Sequence, residues 1–285
     1  MHRVNHYRVD ETLGKVDTSF SNLRRRRKRM LLIDHLSIKQ GERLLLQDVS
    51  LAIERNEWVC LVGASGSGKS LLVKSILQML PATLQSTGSI FWNDQEIEAA
   101  SNTCSIYGCE IGYIPQQYTT SFAPFLTMDA HIRDLFASHD QAYDEDRIRA
   151  IMAEVHLSEE LLYRYPGELS GGQLQRFCLL LASILQPKLI IADEITNALD
   201  VLTARQVTEW LKAMIGQTSS MLWVSHDLAE AMTYADHILV MKDGRIVDAG
   251  DREHLLTSTD PYTQSLLQAA PVLKRKDRLE HVITR

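Results

Sequence analysis

The segment Trp58–Ser70, WVCLVGASGSGKS, joins an apolar run to a glycine-rich loop. The loop, Gly63–Ser70, fits the pattern G-x-x-x-x-G-K-[ST]. Its glycines let the backbone pass close to a phosphate with N–H groups turned inward. Lys69 can reach β- and γ-phosphates, and the Ser70 hydroxyl can bind Mg²⁺. Helical spacing follows in KSLLVKSILQML and stops at Pro81, so the order strand, loop, helix predicts a phosphate-binding loop.

From Met30 onward, short β-rich runs alternate with helical segments. The strand candidates are LLIDHLSI, LLLQDVSLAI, WVCLVG, GSIFWND, EIGYIP, KLIIADE and SMLWVSHD. Such alternation indicates a parallel sheet covered by helices. A mostly helical stretch, 128–185, is inserted between two halves of the sheet, a further helix is predicted at 201–215, and HILVMKDGRIVDAG predicts a hairpin at Asp243-Gly244.

Composition narrows the class of protein. The hydrophobic share of 45% and charged share of 23% are those of a soluble globular protein. The net charge of −6 argues against a nucleic-acid partner, because such proteins carry a basic face. The four cysteines indicate a reducing compartment rather than a disulfide scaffold. No apolar run is long enough to cross a bilayer, so we expect any membrane role to come through a partner.

Residues 1–29 differ from the rest of the chain. They are polar, lack periodicity and end in RRRRKR at Arg24–Arg29. A basic arm for anionic lipid is one interpretation. The other, which we favour, is a disordered extension or residues upstream of a start at Met30.

Two carboxylates end the apolar run LIIADE. An unpaired carboxylate at the end of a buried strand is costly, so a cation is implied. We expect Asp193 to hold Mg²⁺ and Glu194 to polarise the attacking water as a general base.

Two further polar positions follow apolar strands. A lone histidine is more often structural than catalytic. His226, however, follows a third strand of the same predicted sheet, where active sites gather, which favours a γ-phosphate contact. Gln116 and Gln117 follow EIGYIP; glutamine can bond Mg²⁺-bound water or sit at a hinge, and spacing alone leaves both open.

A second anion site is indicated by ELSGGQLQR, Glu168–Arg176. Its adjacent glycines open a long apolar helix, whose free N–H groups and positive dipole end can hold an anion.

The series GASGSGKS, IPQQ, LSGGQLQR, LIIADE, NALD and VSHD, in this order, resembles the ATP-binding subunit of ABC transporters. The resemblance covers Met30 to about Ala270. It implies an α/β P-loop NTPase (RecA-like) fold, with a parallel sheet core, an antiparallel β edge and an inserted α-helical signature subdomain. The implied ATPase domain is 30–270, with the helical subdomain at about 117–186 and a charged tail at 271–285.

The resemblance also implies roles for single residues. Gln116 is the Q-loop glutamine, Ala198–Asp200 the D-loop and His226 the switch histidine. The implied catalytic residues are Glu194, His226, Gln116 and Lys69, and the implied Mg²⁺ ligands are Ser70, Gln116 and Asp193. The residues implied to bind ATP are Gly63, Ala64, Ser65, Gly66, Ser67, Gly68, Lys69, Ser70 and Leu71, with Ser170, Gly171, Gly172 and Gln173.

In this family two nucleotide-binding domains pack head to tail, and each ATP lies between one phosphate loop and the partner's signature helix. Ser170, Gly171 and Gly172 are therefore implied to hold the γ-phosphate of ATP bound to another subunit, a copy or a different chain. Charge-assisted hydrogen bonds of about 1.5–3 kcal/mol each would let bound ATP hold the two subunits of the dimer together.

Three positions depart from the family pattern. Gln40 stands where an aromatic residue usually stacks on adenine. Ile195 replaces the proline that commonly follows the catalytic glutamate, and Leu71 replaces a small hydroxyl residue.

Three stretches resemble the peptide/nickel importer branch: QQYTTSFAP, YPGELSGGQLQR and DPYTQSLLQAAP. The branch implies two permease subunits, an extracellular substrate-binding protein and a place on the cytoplasmic face of the membrane. The tail lacks the cysteines of many oligopeptide ATPases, which favours nickel or metallophore import. Phe122, Phe125 and Leu126 either line the groove for the permease or pack inside the helical insert.

Two other functions compete. A soluble ABC protein of DNA repair or translation would carry a second ATPase domain, a long coiled coil or a zinc module, and the sequence has none of them. A regulatory ATPase subunit is favoured only by Gln40, since Lys69, Asp193, Glu194 and His226 are all present.

Overall fold

The computed structural model describes residues 8–10, 15–17, 29–97, 106–196, 204, 207–212 and 219–270. The chain forms two compact units: the terminal unit, residues 1–99 with 222–285, and the inserted unit, residues 100–221. The predicted D-loop (198–200), part of the helix predicted at 201–215, and the tail lie outside the described residues; of that helix, 204 and 207–212 are described and helical. The predicted domain boundaries stay predictions.

The strands in chain order are β1 (Arg8–Asp10), β2 (Lys15–Asp17), β3 (Arg29–Gln40), β4 (Arg43–Glu54), β5 (Trp58–Val62), β6 (Gln85–Trp92), β7 (Gln95–Glu96), β8 (Ile111–Ile114), β9 (Leu189–Asp193), β10 (Ser220–Ser225), β11 (His237–Lys242) and β12 (Arg245–Gly250). The α-helices are α1 (Lys69–Ile76), α2 (Met128–Ser138), α3 (Glu145–Glu154), α4 (Gly171–Ser183), α5 (Leu228–Tyr234), α6 (Arg252–Leu256) and α7 (Pro261–Ala269). Within the described part of the chain, no helix has the length and apolar character needed to span a membrane.

An antiparallel sheet in the terminal unit is built on β3, which pairs with β4 and β6. The buried residues of β3 change phase midway, from Leu31 and Ile33 to Leu36 and Ile38. The register with β4 shifts between Ile33 and Leu36, and His35 has a φ of 52°. A β-bulge at His35 therefore keeps both halves of the strand facing the core.

A small hairpin, β1 with β2, lies in the segment where the sequence predicts no element. Three-residue strands are too short for a periodic pattern to stand out. Residues 1–7, 11–14 and 18–28 are outside the described part, and the disordered extension stays a prediction.

Parallel strands of the terminal unit carry the phosphate loop. β5 is parallel to β11, and β12 returns antiparallel beside β11. Every residue of β5 is buried, as expected for a parallel strand covered on both faces. Asp243 and Gly244, with φ of 48° and 77°, make the tight turn that the sequence predicts between β11 and β12.

Helix α1 begins at Lys69 as predicted but ends at Ile76, ahead of Pro81. Gln78 has a φ of 55°, and its side chain donates to the carbonyl oxygen of Ser75. The apolar spacing continues through Leu77 and Leu80 after the helix has stopped, so the pattern alone could not locate its end.

The inserted unit packs helices on the parallel pair β8 and β9, which place Ile111 opposite Leu189. Helices α2, α3 and α4 are capped by Thr127, Asp144 and Ser170, whose side chains each accept a backbone N–H from the first turn. Helix α4 lies close to β8: a Cβ at Gly112 would stand 2.2 Å from the carbonyl oxygen of Ala182.

Candidate functional site

The phosphate loop lies where the sequence predicts it, between buried β5 and α1. Gly68 is the N-cap of α1 with a φ of 111°, and Gly66 has a φ of 79°. A Cβ at Gly68 would stand 2.6 Å from the Leu46 side chain, and one at Gly63 would stand 2.2 Å from the carbonyl oxygen of Met241. Both positions therefore require glycine.

Lys69 is buried with 4% of its surface exposed. Its Nζ donates to the carbonyl oxygens of Gly63, at 2.8 Å, and Ala64, at 3.1 Å. A loop that curls around the ammonium of its own lysine brings that charge to the concave side of the loop.

The loop offers the groups that a nucleotide phosphate needs. Ala64, Ser65 and Gly66 are exposed, Ser70 and Leu71 are half-buried, and nothing stands within 4 Å of a Cβ placed on Gly66. Ser67 Oγ is buried without a hydrogen-bond partner among the described residues. Open backbone, a buried cation and a hydroxyl without a partner fit a bound phosphate chain.

His226 directly follows β10 and is exposed. The next residue, Asp227, caps α5 by accepting from the N–H groups of Ala229, at 2.8 Å, and Glu230, at 3.2 Å. The strand end and the capped helix together place the imidazole at the carboxyl end of β10, as the sequence predicts.

The inserted unit brings Gln116 and Glu194 together. They follow the carboxyl ends of parallel neighbours, β8 and β9, and parallel strands end at one edge of a sheet. Gln116 Nε2 donates to Glu194 Oε2 at 2.7 Å. Glu194 has a φ of 50°, so the chain turns sharply there. The sequence did not predict this bond, and the choice between a glutamine that bonds Mg²⁺-bound water and one at a hinge stays open.

Asp193 is the last residue of β9, and only 4% of its surface is exposed. Tyr113 on the neighbouring strand has a pKa raised to about 12, first by burial and then by the charge of Asp193. The predicted Mg²⁺ ligands Ser70, Gln116 and Asp193 supply a hydroxyl, an amide and a carboxylate, the oxygen donors that Mg²⁺ prefers. In chemical type the donor set fits this cation.

The predicted second anion site is the start of α4. Ser170 Oγ accepts from the N–H of Gln173, at 3.3 Å, while Gln173 Oε1 accepts from the N–H of Ser170, at 2.8 Å. Gly171 and Gly172 are exposed, and a Cβ on Gly172 would have nothing within 4 Å. The capping box fixes the helix start and leaves two glycine peptides facing outward.

Gln175 is a residue that the sequence reasoning missed. It is buried on α4, and its Nε2 donates to the carbonyl oxygen of Ile195 at 2.8 Å. Helix α4, which begins at LSGGQ and is the signature helix of the resemblance, is thereby tied to the residue that follows Glu194. A lone glutamine on the apolar face of QLQRFCLLLASIL was the available signal.

The three apolar residues considered for a permease groove differ in their exposure to solvent. Phe122 is buried and stacks edge-on against His131, with ring centres 5.4 Å apart. Phe125 is 75% exposed, and Leu126 is half-buried. Gln40 is exposed at the end of β3.

Comparison with known proteins gives the family. A model described as ABC transporter matches residues 46–197. The nickel import system ATP-binding protein NikD of Staphylococcus aureus (strain MW2) is 33% identical over 255 residues, covering 86% of this chain and 98% of the relative.

Two solved structures share the fold. The dimeric structure of a bacterial ABC transporter cassette has a TM-score of 0.68 at 24% identity, covering 78% of this chain and 99% of that chain. A dimeric post-hydrolysis state of an ATP-binding cassette, bound to ADP and Pi, has a TM-score of 0.68 at 25% identity over the same shares. The predicted P-loop NTPase fold is confirmed, and the chain belongs to the ABC transporter family, as an ATP-hydrolysing subunit.

Proposed function

We propose that this chain binds ATP on its phosphate loop, hydrolyses it with Glu194 as the base, and thereby powers an importer. The observation that carries the catalytic part is the 2.7 Å hydrogen bond from Gln116 Nε2 to Glu194 Oε2. A carboxylate that accepts a hydrogen bond from an amide has one oxygen oriented by that bond, and a general base needs such an orientation toward its water.

Each residue has a role in the proposed reaction. The peptides of residues 63–71 and the Lys69 ammonium bind the phosphates, and His226 contacts the γ-phosphate. Glu194 takes a proton from water as the water oxygen bonds to the γ-phosphorus. The bond from that phosphorus to the bridging oxygen breaks, and ADP leaves with the electron pair.

We infer a resident Mg²⁺ held by Ser70, Gln116 and Asp193. When bound, this cation would neutralise charge that develops on the phosphate oxygens. Because Gln116 Nε2 donates to Glu194, the amide oxygen is the atom assigned to the cation.

The variant Glu194→Gln tests the catalytic proposal. It keeps the shape of the side chain but cannot take a proton, so we expect turnover to fall about 10²- to 10⁴-fold while ATP still binds. Glu154→Gln removes an exposed carboxylate of the same unit and should leave turnover unchanged. Equal turnover of Glu194→Gln and wild type would exclude Glu194 as the base.

We infer that the chain acts in the peptide/nickel importer branch, at the cytoplasmic face of the membrane, with nickel, a metal chelate or a peptide as cargo. The support is the curated relative, a nickel import ATP-binding protein matched over 98% of its length, together with the three branch-like stretches. The proposed partners are a second ATPase subunit, two permease subunits and, indirectly, an extracellular substrate-binding protein.

A pull-down of the tagged chain from gently solubilised native membranes tests the partners. Two permeases, a binding protein and a second ATPase, if one exists, are the expected companions. A purely soluble set of companions would contradict the importer and favour a non-transport ABC ATPase.

A regulatory subunit is the second candidate, and the exposed Gln40 at the end of β3 favours it. Such a subunit would hydrolyse ATP much more slowly than the partner ATPase subunit. Wild-type turnover of this chain, measured against that of the partner subunit, distinguishes the two.

A further inference from the structure

The hydroxyl of Tyr262 lies against the phosphate loop. The backbone N–H of Ala64 donates to Tyr262 Oη at 2.9 Å. Tyr262 belongs to helix α7, near the C-terminal end of the described chain, and no motif of the sequence assigns it a role. Both residues lie in the terminal unit.

The sequence DPYT around Tyr262 fixes its position. Asp260 caps α7 by accepting from the N–H of Thr263 at 2.7 Å, and Pro261 occupies the first turn. Thr263 is fully buried. On the other side, Lys242 Nζ lies 5.1 Å from the centre of the Tyr262 ring. The ring is therefore held by its helix and by a cation.

The bond from Ala64 orients one peptide of the loop. That peptide joins Gly63 to Ala64: its carbonyl oxygen accepts from Lys69 Nζ at 2.8 Å, and its N–H donates to Tyr262. It is thus held from both sides. The N–H of Gly244 donates to the carbonyl oxygen of Ser67 at 2.9 Å and holds the far end of the loop.

A bound nucleotide would weaken one of the two contacts that hold the Gly63–Ala64 peptide, the one to Lys69. The Lys69 ammonium has three N–H donors and uses two of them on the carbonyl oxygens of Gly63 and Ala64, so phosphate oxygens compete with these carbonyl oxygens for the cation. The bond to Tyr262 then has to keep the peptide oriented. A peptide that turned over would take the Gly63 carbonyl oxygen away from the Lys69 ammonium and point the Ala64 N–H at that cation instead.

We propose that Tyr262 is a positioning residue of the phosphate loop: its hydroxyl fixes the Gly63–Ala64 peptide in the orientation that accepts nucleotide. The inference rests on the proposed role of this loop in binding ATP. It also makes α7 the element through which a C-terminal change would reach the nucleotide site.

The test is Tyr262→Phe, which removes one oxygen and keeps the ring. One lost hydrogen bond predicts that the Kd for ADP and for ATP, measured by titration calorimetry, rises about three- to tenfold. We expect kcat to change less than twofold. Amide hydrogen exchange of residues 63–66 should be faster in Tyr262→Phe than in the wild type, even without nucleotide. The control is Tyr163→Phe, which removes the same atom from a 74% exposed tyrosine.

The outcomes separate the possible failures. Unchanged Kd values in Tyr262→Phe would overturn the inference alone, and a lower unfolding temperature with unchanged Kd values would show a merely structural contact. A wild-type chain that binds neither nucleotide would overturn the proposed function as well. Lys69→Ala supplies the reference for lost binding.

Discussion

At the scale of single residues, Gln116 holds the carboxylate on which the proposed reaction depends. Hydrogen bonds to charged groups are worth about 1.5–3 kcal/mol, so Gln116→Ala should lower kcat about ten- to a hundredfold. Steady-state ATP turnover measures this. Gln117→Ala changes the exposed neighbouring glutamine and should have no such effect. Equal losses in both variants would assign the effect to the loop rather than to the bond.

The contacts of a residue could be predicted from the sequence when its partners lie nearby in the chain. Lys69 and Ser170 make hydrogen bonds within a few positions of their own motifs, so their surroundings follow from nearby sequence. Gln116 remained undecided because its partner, Glu194, is distant in sequence and reaches it only through the pairing of β8 with β9. Gln175 was missed for the same reason, since its partner lies beyond Glu194.

At the scale of elements, a half-buried ion pair ties the start of β5 to the start of β11. Glu57 Oε1 lies 2.7 Å from His237 Nδ1, and the other oxygen of Glu57 accepts from the N–H of Glu54. Burial lowers the pKa of His237, but the hydrogen bond to Glu57 and the charges of Glu57, Asp251 and Asp236 outweigh it, so the pKa is raised.

This raised pKa predicts how stability depends on pH. Protonated His237 stabilises the fold fully below its ordinary pKa of 6.5, and the stabilisation is lost as the pH rises through the raised value. In urea titrations, the unfolding free energy of the wild type should fall as the pH rises above 6.5. The fall should be smaller in Glu57→Gln, which lacks the carboxylate that pairs with His237. It should be unchanged in Glu154→Gln. A slope unchanged by Glu57→Gln would contradict the assignment.

Element types followed from hydrophobic pattern more reliably than element ends. All seven strand candidates exist, because continuous or alternating apolar runs reflect burial directly. The end of α1 and the bulge at His35 depend on single left-handed residues, Gln78 and His35, which leave the apolar pattern almost unchanged. The helices α5 and α6 are too short to show a period.

At the scale of the whole molecule, substitutions of two phenylalanines distinguish an effect on folding from an effect on coupling to a permease. Phe122→Asp would bury a charge beside His131 and should cost about 3–5 kcal/mol of unfolding free energy. Phe125→Asp changes a side chain that is 75% exposed and should cost at most about 0.5 kcal/mol.

In vesicles that contain the whole transporter, Phe125→Asp should retain basal ATP turnover but lose cargo uptake. Urea unfolding, turnover and uptake measure the three effects. Unfolding of Phe125→Asp, or normal uptake by it, would place this side chain outside the permease interface.

The central claim is that one chain carries only half of each ATP site, with its signature helix serving ATP bound to a second subunit. Light scattering on Glu194→Gln, together with any second ATPase recovered by the pull-down, tests this most directly. We predict the mass of one ATPase subunit without nucleotide and the mass of two subunits with ATP. When every subunit also carries Gly172→Asp in its signature helix, ATP should not increase the mass. A mass that stays at one subunit while ATP is bound would contradict the account.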